Sequence, residues 1–168
     1  MLVFDATPLI YLAKVEKLHL LRNISEKKVI PRSVFEEVVV KGKEAGKVDA
    51  LIVERLIEQG VFQVTEVEET DVYRKLMKNE KLSTADVEVL ALAKVEDGVA
   101  IVDEDYARWV AEVEDIKCGG TIYLIFSLLE GDVITKKEAR EIVDGIIEKG
   151  WFCSTYLYAR ILKRMEEE

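Results

Sequence analysis

The sequence has 168 residues, 49% hydrophobic and 34% charged, a balance that fits one folded domain over residues 1–168 and excludes a disordered chain. The sequence contains no transmembrane span, and its opening MLVFDATPLIYLAKVEKL has no basic region, long apolar run or small-residue cleavage site, so a cytoplasmic protein without a membrane partner is expected. The net charge of -9 disfavours a broad basic footprint for nucleic acid, yet it is compatible with an acidic site whose bound metal meets the phosphate.

Leu2 to Phe4 is a short apolar run that reads as a strand, followed by Asp5. Thr7 and Pro8 then suit the N-cap and first position of a helix through Leu12 and Val15. Lys28 to Ile30 repeats the pattern; Pro31 ends the strand, and Ser33 to Glu36 offers a capping box for a helix through Val40. An amphipathic helix is expected from Glu44 to Gln59, with Val48, Leu51, Ile52, Arg55 and Leu56 on one side and Gly60 as its stop.

Phe62 to Val67 reads as a strand and Thr70 to Asn79 as a short helix. Ser83 or Thr84 caps a helix through Val95, and Val99 to Val102 is a continuous apolar run of the kind found in buried parallel strands. A helix from Tyr106 to Val113 and a short strand from Ile116 to Cys118 follow. Gly119 and Gly120 turn the chain, and Thr121 is placed to cap a helix through Leu129. Helices from Lys136 to Lys149 and from Ser154 to Met165, separated by Gly150, complete the chain, with Glu166 to Glu168 a frayed tail. Strands alternating with helices imply an α/β fold with a mainly parallel central sheet, whose strand order the sequence leaves open.

In such sheets functional groups collect beyond the carboxyl ends of the strands. Asp5 follows the first strand, and Asp103 and Asp105 follow Val99 to Val102. A carboxylate at the end of an apolar strand is costly to desolvate unless it is paired or binds a cation, so metal ligation would account for all three, although Asp5 could equally serve to favour a helix start. Glu37 lies one turn from Val34, free of the capping role given to its neighbour Glu36. Asp86 opens a helix whose face continues through Val89, Leu90 and Ala93, although it could equally be the capping partner of Ser83. Glu88 and Glu104 read as solvated surface charges, and the lone His19 as a helix-surface or core residue. Cys118 and Cys153 lack metal-ligand spacing and read as free, buried thiols.

These segments, in this order, resemble the PIN domain family, in particular its small prokaryotic members. DATPLIYLAKVEKLHLL resembles the family's Asp-Thr-Ser-Pro-Leu start, IPRSVFEEV its Ile-Pro-x-x-Val-x-x-Glu element, and STADVEVLALA the segment where an acid opens a helix ending in Ala-Leu-Ala. IVDEDYAR is similar to its acidic strand end followed by Arg, and CGGTIYLI to the Gly-Thr that caps the next helix. Ala6 departs from the usual Thr or Ser and Asp86 from the commoner Glu; the acidic pair Asp103 and Asp105 leaves open which is the ligand.

The resemblance implies a three-layer α/β/α sandwich with C-terminal helices, and metal binding by Asp5, Glu37, Asp86 and Asp103 or Asp105, with Thr7 near the site. It implies hydrolysis of phosphodiester bonds in single-stranded RNA, assisted by Mg2+ or Mn2+, ions that suit an all-oxygen ligand set. Arg108 is a candidate phosphate contact or a partner for one of the acids. A toxin of a toxin–antitoxin pair, with an antitoxin protein as partner, is one expected role. A catalytically weak module binding nucleic acid or a partner is the alternative, which the acidic charge favours. A phosphotransferase of the haloacid dehalogenase type would want a second acid where Thr7 stands. The aromatic C-terminal helices are expected to pack on the core and to lend part of their surface to a homodimer.

Overall fold

A computed structural model describes residues 1–168. Its centre is a five-stranded sheet, all parallel, in the order β3-β2-β1-β4-β5: β1 (Leu2–Phe4), β2 (Lys28–Pro31), β3 (Gln63–Thr65), β4 (Val99–Ile101) and β5 (Cys118–Gly119). Leu2, Val3 and Phe4 pair with Val99, Ala100 and Ile101, which brings the ends of β1 and β4 side by side. The strand order reverses there, so the crevice beyond these two carboxyl ends is where α/β sheets place their sites.

Helices cover both sheet faces, as expected for an α/β/α sandwich. α1 (Ala6–Lys14) packs with α4 (Val48–Glu58), α8 (Thr121–Glu130) and α9 (Lys136–Glu148). α6 (Thr84–Val95) lies against β1, β2 and β4, flanked by α2 (Arg32–Phe35) and α5 (Asp71–Met77). α7 (Asp105–Val113) packs on β5, and α10 (Thr155–Glu167) seats Ile161 and Met165 in the core. One continuous cluster of 44 buried residues runs through the sheet and the helices on it, including Phe62 edge-on to Phe4 at 5.2 Å between ring centroids.

Several local expectations are corrected. The first helix starts at Ala6 with extended Asp5 as N-cap, so Thr7 and Pro8 fall inside its first turn, where the missing proline N–H is harmless. α2 starts at Arg32 and continues without a break through a π-helical stretch, Glu36–Lys41, into α3 (Gly42–Glu44). Ser33 therefore caps nothing and forms no box with Glu36; its N–H and hydroxyl both donate to Glu88 of α6, which is half-buried rather than solvated.

The helix expected from Glu44 breaks at Gly46, where φ is +70°, and α4 buries Ala50, Val53 and Leu56 while Val48 and Leu51 face solvent. Apolar residues occur almost all round α4, so two stripes satisfy its periodicity and only packing selects one. β3 is shorter than expected, and β5 begins at Cys118 instead of ending there. Glu104 caps α7 by accepting from the Ala107 N–H at 2.8 Å. The acidic tail expected to fray is helical through Glu167, and the two cysteines are free but only half-buried.

Candidate active site

The register of β1 with β4 sets the geometry. Asp5 is the first residue after β1, its N–H donating to the Ile101 carbonyl at 3.0 Å, and Asp103 stands two residues beyond β4. Asp86 arrives on the first turn of α6, and Glu37 on the π-helical stretch that follows α2. Such stretches, with their widened turn, are often found at functional sites.

Asp5 is only 8% exposed, and although it caps α1 its carboxylate makes no capping hydrogen bond. Burial is the main cause that pushes its pKa from the ordinary 3.8 up to about 7; the Ala6 N–H offsets part of this, and the charges of Asp86, Glu37 and Asp103 add to the rise. These four acids thus share one electrostatic environment. None of them belongs to any ion pair of the protein, so a buried carboxyl sits among like charges without a countercharge.

Asp103 is held in place by three donors. The Thr121 N–H reaches its Oδ1 at 2.7 Å, while the Thr121 hydroxyl and Trp151 Nε1 reach its Oδ2 at 2.6 and 3.0 Å. A carboxylate offers about four acceptor positions, so one remains for a ligand. Asp86 shares in a capping box: its Oδ2 accepts from the Ser83 N–H at 2.8 Å, and its Oδ1 is left over. The structural and the functional reading of Asp86 are therefore compatible.

Asp105 is exposed on the first turn of α7 and is not among the charges that act on Asp5. Thr7 is half-buried in the first turn of α1. Arg108 turns back on its own loop, Nη1 donating to the Val102 carbonyl at 3.1 Å, and makes no ion pair with an acid. His19 is exposed on a 3-10 helix, Leu18–Asn23, outside the group.

Two residues that fix Asp103 escaped the reading of the sequence. Thr121 was assigned the cap of α8, but Gly120 holds that position and the Thr121 side chain, fully buried, serves Asp103. The Gly-Thr pair was a usable signal. A Cβ on Gly120 would lie 2.5 Å from Asp103 Oδ1 and 3.1 Å from the Val102 carbonyl, so only glycine lets the end of β5 approach this closely.

Trp151 lies 48 residues from Asp103, and no local pattern links them. Its position comes from the end of α9: Gly150 takes φ +104° and donates to the Ile147 carbonyl, while the Trp151 N–H closes on Ile146 at 2.9 Å. This Schellman turn swings the indole back over the site.

In chemistry the set fits a hard divalent cation, since carboxylates without a countercharge are what such an ion relieves. No three acids stand close enough to hold one ion directly.

A family model described as a PIN domain matches residues 1–167. The chain belongs to the PIN domain family. PIN domains are in general nucleases, which makes this one a nuclease-type hydrolase fold, and they typically use divalent metal ions. No curated protein and no solved structure matches the chain. No helix of this PIN domain is long and apolar enough to cross a membrane.

Proposed function

We propose that this PIN domain is a metal-dependent endoribonuclease that hydrolyses phosphodiester bonds of single-stranded RNA. The observation that carries the reading is Asp5, buried and uncompensated beside Glu37, Asp86 and Asp103 at the reversal point of the sheet. These four residues would hold Mg2+ or Mn2+, which when bound supplies charge neutralisation at the phosphate and an activated water.

The chain's own residues account for the rest. Asp103, fixed by Thr121 and Trp151, presents its carboxylate without reorganising. Asp5, whose carboxyl burial raises to about 7, would hold the cation in its deprotonated form. Thr7, in the first turn of α1, would meet a phosphate oxygen through its hydroxyl. The proposal extends to a toxin role with an antitoxin partner, supported by the resemblance to small toxin ribonucleases; co-purification with the product of a neighbouring gene tests it.

A second reading, a catalytically weak module that binds nucleic acid or a partner, is favoured by the spacing of the acids, no three of which converge on one point. Cleavage of a labelled single-stranded RNA pool with Mn2+ or Mg2+ separates the two, comparing the wild type, an Asp5→Asn/Asp86→Asn variant and an EDTA control. Cleavage confined to the wild type with metal supports the nuclease. Cleavage no greater than the variant's selects the binding module.

A further inference from the structure

The acidic charge of this chain is not evenly spread. Residues 149–164 contain Lys149, Arg160, Lys163 and Arg164 and no acid, while the whole chain carries -9, which leaves -13 outside this segment. The same stretch holds Trp151, Phe152, Tyr156 and Tyr158. Basic residues interleaved with aromatic ones are the composition that single-stranded nucleic acid requires, cations for the backbone and flat rings for the bases.

The structure divides these residues by role. Trp151 is buried and donates to Asp103, which anchors the start of the segment at the carboxylate site. Tyr158 donates to Asp144, and Arg164 pairs with Glu130. Phe152 and Tyr156 remain, 84% and 72% exposed.

Arg160 lies over the Tyr156 ring at 5.7 Å, and neither it nor Lys163 belongs to an ion pair. On α10, Tyr156, Arg160 and Lys163 are spaced four and three residues apart, which puts them on one helix face, and Phe152 stands two residues before the N-cap Ser154. A ring left this exposed in water gains by stacking, and the unpaired cations beside it are available to phosphates.

We propose that Phe152, Tyr156, Arg160 and Lys163 form a stacking platform for single-stranded nucleic acid, which guides the strand to the carboxylate site. The assignment rests on the nuclease reading for its substrate and adds the surface that takes it up. It also gives an acidic chain a local pair of free cations for a polyanionic ligand, on a helix whose approach begins at Trp151 and runs away from the site toward Glu130. A second copy of the chain fits this face less well, because a two-fold pairing sets a patch against itself and brings its unpaired cations together.

The test is binding in EDTA, so that no cleavage enters the readout. Two labelled probes are compared by fluorescence anisotropy: a single-stranded RNA of mixed sequence, and a strand of equal length whose sugars carry no bases. The wild type is expected to prefer the base-bearing strand by about tenfold or more, and Phe152→Leu/Tyr156→Leu, which keeps apolar area on an exposed surface but removes the rings, to lose that preference. Arg160→Gln/Lys163→Gln should weaken both probes alike and flatten the salt dependence.

Equal affinity of the wild type for the two probes, or no binding of either, overturns the proposal. A sedimenting dimer that the leucine variant dissolves overturns it too, and assigns the face to a second copy. The nuclease reading fails separately: a wild type that prefers bases in EDTA yet cleaves nothing with metal leaves the platform standing, and one that cleaves without preferring bases removes the platform alone.

Discussion

Replacing Asp5 by Asn should stabilise the metal-free protein, and by an amount that depends on pH. Well below its ordinary pKa of 3.8 Asp5 is protonated in both folded and unfolded states, so no ionisation cost is then paid. Between its ordinary pKa of 3.8 and the folded value of about 7 only the unfolded chain ionises, and stability falls as pH rises through this window. Above about 7 the folded state bears the full cost. The shift of roughly 3 units, at about 1.4 kcal/mol each, comes to ~4 kcal/mol. For a chain of this size that is on the order of 8–16 °C in Tm. Thermal unfolding of the wild type and Asp5→Asn in EDTA, from pH 4 to pH 9, measures it. The two curves should meet near pH 4 and separate to this extent by pH 8, with Mg2+ then raising the Tm of the wild type and not of the variant. A constant difference across the range, or an Asn variant that is the less stable at pH 8, would refute the electrostatic picture of the site.

The donors around Asp103 give further expectations. Gly120→Ala drives a Cβ against Asp103 Oδ1 and the Val102 carbonyl, so RNA cleavage should drop by tenfold or more together with a loss of ~1–3 kcal/mol in chemical denaturation. Thr121→Val removes a buried hydroxyl that donates to a carboxylate and should cost about 1–3 kcal/mol in urea melts, with Thr121→Ser close to the wild type. Trp151→Phe keeps the ring but deletes Nε1, and is expected to lower kcat more than it lowers stability, read from steady-state cleavage beside a denaturation curve. Glu88→Leu strands the Ser33 N–H and hydroxyl between α2 and α6, a loss of ~1–3 kcal/mol in the same melts, while Ser33→Ala/Glu88→Leu should recover part of it.

Where an element's signal is local, the sequence carried it. Val99–Ile101, the Ser83 cap, the Thr70 start of α5 and the extent of α9 follow from runs, caps and glycines a few residues apart, and the structure keeps them. The same holds for the strand-end positions of Asp5 and Asp103, because a carboxylate after an apolar run is visible in a single chain. The sequence could not choose the packed stripe of α4, whose apolar residues satisfy two faces, nor foresee that Ser33 would serve Glu88 instead of its own helix. Both choices depend on what lies opposite.

The site divides in the same way. Sequence alone determined which acids stand at strand ends and helix starts, since short-range order follows from local residue preferences. Only the tertiary structure decided that β1 and β4 are neighbours, which sets Asp103 rather than Asp105 beside Asp5, and that Trp151, 48 residues away, holds Asp103 in place. The physical reason is that strand order and long-range hydrogen bonds are settled by how a whole core closes, and no window of sequence contains that information.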